Sequence, residues 1–164
     1  MSTLPAPHPV RWAALACRVI IGGLFIFAAY MKLGDPQGFA DAIVKFDLFP
    51  KTDHPAAFDH IITLLTFVIP WTEIVTGMLL IVGLCTRAAA LLVSLMLVGF
   101  IVGIASVLVR GMDVHCSCFG KFEWPCTGPI GACQLTRDAI MLAMTLLVFA
   151  KGPGPLSLDR CHTH

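Results

Sequence analysis

The sequence has few charged residues. Only 13% of its 164 residues are Asp, Glu, Lys or Arg, and 57% are hydrophobic, whereas soluble domains carry about 25% charged residues. So few charges cannot cover a surface that faces water, and the composition therefore predicts an integral membrane protein in contact with the lipid bilayer. The formal net charge is +1. Without a strong basic field, nucleic acid is excluded as an expected partner.

Long apolar runs predict four membrane-spanning helices. A helix rises about 1.5 Å per residue, so roughly 20 residues cross the ~30 Å hydrocarbon core. The four runs cover residues 12–31, 61–84, 88–109 and 129–150. Gly99 and Gly103 in the third run have the spacing that permits close helix contact, although glycine is common in membrane helices. The predicted fold class is an all-α, integral membrane four-helix bundle.

A short helix is expected after the first run. Asp35 followed by proline has the pattern of a helix N-cap and first helical position. Phe39, Ile43 and Phe46 then recur at helical spacing with charged residues between them. This pattern predicts a short interfacial helix on the membrane surface. Lys32, at the end of the first run, is expected to anchor that end at the interface.

Four spans place both ends of the chain on one side and the loop between the third and fourth spans on the other. Basic residues are almost evenly divided, but the segments on the terminal side are shorter and therefore denser in positive charge. We expect a bacterial-type inner (plasma) membrane, with cytoplasmic termini and an extracytoplasmic (periplasmic) loop. The predicted segments are a polar N-terminal segment (1–11), a four-span membrane domain (12–150) and a flexible C-terminal tail (151–164).

The densest group of reactive side chains lies in that loop, at His115, Cys116 and Cys118. A disulfide closed across one residue is strained and therefore a labile oxidant, and a protonated His115 would favour the thiolate. Cys126 and Cys133 share the region. They could form a resolving pair, or each could form a permanent structural disulfide with Cys116 or Cys118.

Metal binding is an alternative for the same loop. Cys-x-Cys beside His115 suits Cu(I) or Zn(II), and Cys161, His162 and His164 in the tail offer similar ligands. Four spans would place the tail across the membrane from the loop, so one site could not use both. No metal site is assigned.

Glu73 is the most unusual residue within the spans. A carboxylate near the middle of a membrane is costly and usually faces the bundle with a partner. Arg18 could approach from the terminal side, or Arg137 from the loop side, either as a structural ion pair or in a proton-relay or quinone-contact role. The residues assigned to this charge network are Glu73, Arg18, Arg137, Asp138, Lys32 and Asp35.

Several motifs resemble a known family. Those that resemble DoxX-like membrane proteins are Lys32-Leu33, Asp35-Pro36, Phe39-Ala40, Pro50, Pro70-Trp71-x-Glu73, Gly77 and Gly83. The run Cys116-Ser117-Cys118-Phe119-Gly120, with Arg137-Asp138 in the last span, is similar to the MauE branch in particular. The resemblance covers residues 11–150. Ser117 stands where glycine is expected, and Cys126 and Cys133 are additional.

The resemblance implies a four-helix inner-membrane protein. MauE proteins are associated with methylamine utilisation and with maturation of the disulfide-rich small subunit of methylamine dehydrogenase. DoxX relatives include a subunit of a thiosulfate:quinone oxidoreductase. By resemblance, Cys116 and Cys118 are the redox pair.

The leading hypothesis is therefore a thiol–disulfide redox protein. It would pass electrons between the cysteines of an exported partner and a membrane carrier such as quinone, which is the possible cofactor. One alternative is a non-enzymatic assembly or maturation factor. The other is a copper or zinc handling membrane protein.

Overall fold

The computed structural model describes residues 8–45, 55–111 and 131–151. Its helices are α1 (His8–Gly34), α2 (Pro36–Lys45), α3 (Pro55–Val82), α4 (Thr86–Val109) and α5 (Ala132–Lys151). No strand occurs within these three described ranges. The predicted all-α class and the short helix after the first span are confirmed.

Four of the helices are long and apolar enough to cross a membrane. The candidate spans are Trp12–Gly34, Phe58–Val82, Thr86–Val109 and Ala132–Lys151. Large apolar side chains point outward along each of them, among them Tyr30, Leu64, Trp71, Val102 and Ile140. Because lipid tails, unlike water, do not penalise such exposure, these faces are lipid-facing surfaces.

The core is shared by all four spans. α1 packs against α3 and α5, while α4 packs against α5 and α3. One cluster of buried side chains includes Ile21, Phe25, Leu80, Val93, Leu97, Met141 and Val148. The four long helices therefore form one bundle around a common apolar centre.

α1 and α3 cross at a pair of glycines. A Cβ atom on Gly22 would lie 2.7 Å from the carbonyl oxygen of Gly77, and one on Gly77 would lie 2.8 Å from that of Gly22. Only glycine at both positions allows the backbones this close. Gly99, whose spacing from Gly103 would permit a close helix contact, is exposed, and a Cβ there would meet no atom of the described residues within 4 Å.

The short helix α2 lies against the first part of α3. Asp35 Oδ1 accepts a hydrogen bond of 3.1 Å from the backbone N–H of Gly38, which confirms its predicted role as the N-cap. Phe39 and Ile43 are buried and pack with Ile62 of α3. The apolar face of α2 therefore contacts protein.

The connection from α3 to α4 is a tight turn. Gly83 has φ +75°, and the N–H groups of Gly83 and Leu84 both donate to the carbonyl oxygen of Leu79, at 2.9 and 3.0 Å. This is the left-handed ending that glycine gives a helix. Cys85 follows with φ 46°, and α4 begins one residue later.

Candidate functional site: a buried charge cluster

A salt bridge inside the bundle joins α1 to α3. Lys32 Nζ donates a hydrogen bond to Glu73 Oε1, and the two residues are only 2% and 1% exposed. The sequence predicted that Lys32 anchors the end of α1 at the membrane interface. The structure buries it inside the bundle instead. From the sequence, Arg18 or Arg137 was the residue that could approach Glu73, whereas the hydrogen bond to Glu73 comes from Lys32.

Two aromatic rings enclose the Lys32 ammonium. Nζ lies 5.3 Å from the centroid of the Phe39 ring on α2 and 4.9 Å from that of Phe100 on α4. Both distances lie within the range of a cation–π interaction, which is stronger where water is excluded. Lys32 thus contacts side chains from three other helices.

A second ion pair lies near the start of α5. Arg137 Nε donates to Asp138 Oδ1 at 2.9 Å, and an Arg137 terminal nitrogen lies 2.9 Å from the same oxygen. Asp138 is 3% exposed. Neighbouring residues on a helix point in different directions, so the Arg137 side chain must fold back along α5 to make this contact.

Both ion pairs line one cavity of about 20 Å³. Its remaining wall is apolar and comes from Phe25, Ala28, Leu97, Phe100 and Met141. The structure therefore brings together four of the six charged residues assigned to the network: Lys32, Glu73, Arg137 and Asp138. Asp35 acts instead as the cap of α2.

Arg18 lies elsewhere in the bundle. It is buried, with 1% exposure, and its guanidinium packs against the backbone of Gly83, where a Cβ would lie 2.7 Å from a terminal nitrogen. Gly83 is ten residues from Glu73 on the chain, roughly 15 Å along a helix. We call the end of the bundle where α1 begins and α5 ends the terminal end, and the opposite end, where α4 ends and α5 begins, the loop end. Arg18 lies at the terminal end.

Oxidised cysteines occur at both ends. Cys133, exposed in the first turn of α5, and Cys85, before α4, are each disulfide-bonded, while Cys17 is free. α4 has 24 residues and is therefore about 36 Å long, whereas disulfide-bonded residues lie within about 7 Å. Cys85 and Cys133 are not bonded to each other.

The other predicted reactive residues lie outside the described ranges. This applies to His115, Cys116, Cys118 and Cys126, so their pairing stays a prediction. Within residues 8–45, 55–111 and 131–151 there is no group of three or more His, Cys, Asp or Glu side chains that could hold a metal ion.

Sequence reasoning missed the rings of Phe39 and Phe100 beside Lys32, and the disulfide at Cys85. The helical position of Phe39 one turn after Asp35 was a usable signal for an inward-facing ring. No sequence signal distinguished Phe100 from the other apolar residues of α4.

Four membrane-length helices around two buried ion pairs define a multi-pass membrane protein with a charged interior site. A family described as "Methylamine utilisation protein MauE" matches residues 10–151. The chain belongs to the MauE family. No curated protein and no solved structure matched it. The wider relationship to DoxX-like proteins stays a prediction.

Proposed function

We propose that this protein is an inner-membrane thiol–disulfide redox protein of methylamine utilisation. It exchanges electrons between the cysteines of an exported partner and a membrane carrier of the quinone class. The observation that carries this proposal is the exposed, disulfide-bonded Cys133 at the loop end, in a chain of the MauE family.

The position of Cys133 supports disulfide exchange. Exchange begins when a thiolate attacks an accessible sulfur, and it is faster when the departing thiolate is stabilised. Cys133 is the second residue of α5, where the partial positive charge of a helix N-terminus stabilises an anion. A Cys133 thiolate is thus a good leaving group in an exposed bond.

The proposed exchange has two steps. A thiolate of the exported partner attacks a disulfide of this protein to form a mixed disulfide, and a second partner thiolate then releases it. The partner gains a disulfide and this protein gains two thiols. A quinone then accepts two electrons and two protons, which yields a hydroquinone and re-forms the disulfide. We assign exchange to Cys116 and Cys118, resolution to Cys126 and Cys133, and thiolate formation to His115.

The proposed orientation places the loop end in the extracytoplasmic compartment and the termini in the cytoplasm. Disulfides persist in oxidising compartments and are rare in the cytosol. Cys85 and Cys133 lie at opposite ends, so only one of their bonds can face the oxidising side. The proposal assigns the oxidising side to the end that carries Cys133.

Alkylation of cysteines in intact membranes tests the proposal. A maleimide that adds mass should label the loop cysteines only after reduction, and a quinone analogue should restore their protection. Serine at both Cys116 and Cys118 should abolish mixed disulfides and partner maturation. Cys17→Ala is the matched control, because Cys17 is free and packs beside the core. Loop cysteines that stay reduced throughout growth would refute the redox proposal.

The same variants separate the alternatives. If partner maturation survives serine at both positions, the protein is a non-enzymatic assembly factor whose loop docks the partner. If purified protein retains a stoichiometric metal that the double variant loses, it handles copper or zinc.

A further inference from the structure

The positions of the helices restrict which cysteine can be bonded to Cys85. Cys85 is disulfide-bonded, Cys17 is free, and Cys133 lies at the opposite end of the bundle. The chain has seven cysteines, so the partner of Cys85 is one of the remaining four: Cys116, Cys118, Cys126 or Cys161. Each of the four is tethered to the end of a described helix, which limits how far it can reach.

Cys116 and Cys118 are too far from Cys85. They follow Gly111, the last described residue after α4, by five and seven residues. An extended chain spans at most about 3.6 Å per residue, so Cys118 lies within about 25 Å of Gly111. Bonded cysteines have Cα atoms within about 7 Å of each other, which extends the reach to about 32 Å. α4 separates Gly111 from Cys85 by about 36 Å, so neither cysteine can be the partner.

Cys126 is excluded in the same way. It precedes Gly131, the residue before α5, by five residues, and its total reach from Gly131 is about 25 Å. Phe100 of α4 and Asp138 of α5 line the same cavity and are therefore at the same level of the bundle. From that level, Cys85 lies about 22 Å toward the terminal end and Gly131 lies about 10 Å toward the loop end. The separation of about 32 Å exceeds the reach of Cys126.

Cys161 is within reach of Cys85. It follows Lys151, the last residue of α5, by ten residues, which allows up to about 36 Å of extended chain. Lys151 lies about 20 Å from Asp138 toward the terminal end, which is almost the level of Cys85. Packed helices are about 8–10 Å apart, well inside the allowed distance.

The backbone at Cys85 is constrained as well. Its φ of 46° lies in the left-handed region, where a Cβ atom crowds the following carbonyl oxygen. No other non-glycine residue has a positive φ in the part of the chain that the structure describes. Such a conformation persists where the surroundings hold it. The Cys85 side chain makes no capping hydrogen bond to α4, so its disulfide is the constraint that this side chain supplies.

We propose that Cys85 is bonded to Cys161, and that this bond is a redox-sensitive tether between the C-terminal tail and the turn that joins α3 to α4. Two thiols of a glutathione-class reductant open the bond. The first attacks one sulfur and forms a mixed disulfide, and the second releases it. The reductant becomes a disulfide, while Cys85 and Cys161 gain two electrons and two protons and become thiols. Exchange with an oxidised glutathione-class disulfide reverses both steps.

This pairing also restricts the partner of Cys133. Because Cys161 is occupied, the bond of Cys133 is made with one of the three loop cysteines, Cys116, Cys118 or Cys126. The exposed bond at the loop end is thus separate from the tether at the terminal end, and each can be oxidised or reduced without the other.

The compartment of the tether indicates its role, a step that rests on the proposed function. The proposed orientation places the terminal end in the cytoplasm, where the disulfides that form are usually transient and redox-sensing. The tether would then respond to the thiol–disulfide balance of the cytoplasm, whereas the loop end exchanges disulfides on the oxidising side.

Peptide mapping of the full chain tests the pairing. Purified protein is oxidised with diamide, its remaining thiols are blocked with a maleimide, and it is digested with trypsin without reduction. The relevant tryptic peptides are 52–87 with Cys85, 161–164 with Cys161, and 111–121 and 122–137 with the loop cysteines. Mass spectrometry should find 52–87 linked to 161–164. A link from 52–87 to either loop peptide, or a blocked thiol at Cys85, would overturn the proposal.

Variants identify the two sulfurs independently. Cys17→Ala removes the free thiol and should leave the linked peptide unchanged, so it is the matched control and the background for a second change. In that background Cys161→Ser should expose one thiol, at Cys85, counted as one added maleimide. If Cys85 stays protected, another cysteine is its partner and the pairing is wrong. Wild type that runs as a disulfide-linked dimer on a non-reducing gel would also contradict it, since Cys161 would then come from a second copy.

Membrane vesicles of the two orientations distinguish the tether from the proposed function. Reduced glutathione is charged and does not cross the membrane. In inverted vesicles, which turn the cytoplasmic side outward, it should open the bond between Cys85 and Cys161, and in right-side-out vesicles the bond should stay closed. Opening in right-side-out vesicles alone would overturn the cytoplasmic placement of the termini, while the pairing stands. A bond that stays closed in both, although glutathione opens it in denatured protein, would show that it is not redox-sensitive.

Discussion

The two ends of the bundle each bury a cation from α1, but they accommodate it differently. Lys32 and Arg18 are fourteen residues apart, roughly 21 Å along the helix, and both are almost fully buried. At the loop end, Lys32 meets a carboxylate on α3 and two aromatic rings. At the terminal end, Arg18 lies against Gly83, which has no side chain. The surroundings of Lys32 thus include a carboxylate and two rings, and those of Arg18 include a backbone that only glycine leaves open.

The largest effect should come from removing the cation at the loop end. Lys32→Met leaves the Glu73 carboxylate buried without its partner, which costs about 3–5 kcal/mol. Unfolding in detergent, followed by circular dichroism, measures the change. The double variant Lys32→Met/Glu73→Leu should recover most of the loss, since an apolar pair of similar volume is often tolerated.

Lys45 provides the control for that experiment. It is exposed at the end of α2, so Lys45→Met should change the stability by no more than about 0.5 kcal/mol. If Lys32→Met were equally harmless, the salt bridge would contribute nothing to the fold, and the contrast between the two ends would disappear.

A smaller effect is expected from filling the space at the terminal end. Gly83→Ala imposes the φ of +75° on a residue with a Cβ atom, at a cost of about 1–2 kcal/mol. It also crowds the buried guanidinium of Arg18. The same unfolding assay should show the loss. Gly99→Ala should be neutral or stabilising, because a Cβ there meets nothing within 4 Å; equal losses at both positions would argue against a packing role for Gly83.

The smallest expected effect is a gain in stability when a small alkylammonium ion binds in place of a truncated Lys32 side chain at the loop end. Lys32→Ala should be partly restabilised by methylammonium, which resembles the end of the missing side chain. At tenfold excess over Kd the gain would be about 1.4 kcal/mol, measured as a rise in Tm. Tetramethylammonium, which is bulkier, should not rescue. Arg18→Ala should gain nothing from methylammonium, and a gain there would remove the distinction between the ends.

The helices could be predicted from the sequence more fully than the charge cluster. Runs of about 20 apolar residues are sufficient to predict the spans, and the Asp35 cap is a local pattern. The partner of Glu73 depends on how α1 and α3 are aligned, which is determined by the contact between Gly22 and Gly77. Gly77 belongs to the motifs that resemble the DoxX-like proteins, but nothing in the sequence distinguishes its partner Gly22 from the exposed Gly99. The prediction for Lys32 failed for a related reason. Its position at the end of an apolar run is typical of an interfacial lysine, but α2 folds back and places the Phe39 ring over it.

The salt bridge between α1 and α3 also bears on how the chain enters the membrane during synthesis. A carboxylate at the centre of a span opposes insertion by about 2.5–3.5 kcal/mol. Lys32 precedes Glu73 by 41 residues, so the ribosome has already made the cation when the third helix reaches the translocon. The first helix can thus remain beside the insertion site and receive α3 as a partner. α5, with the lowest mean hydropathy of the four spans at 1.4, emerges last, when the other three helices are available to shield its Arg137 and Asp138 from lipid.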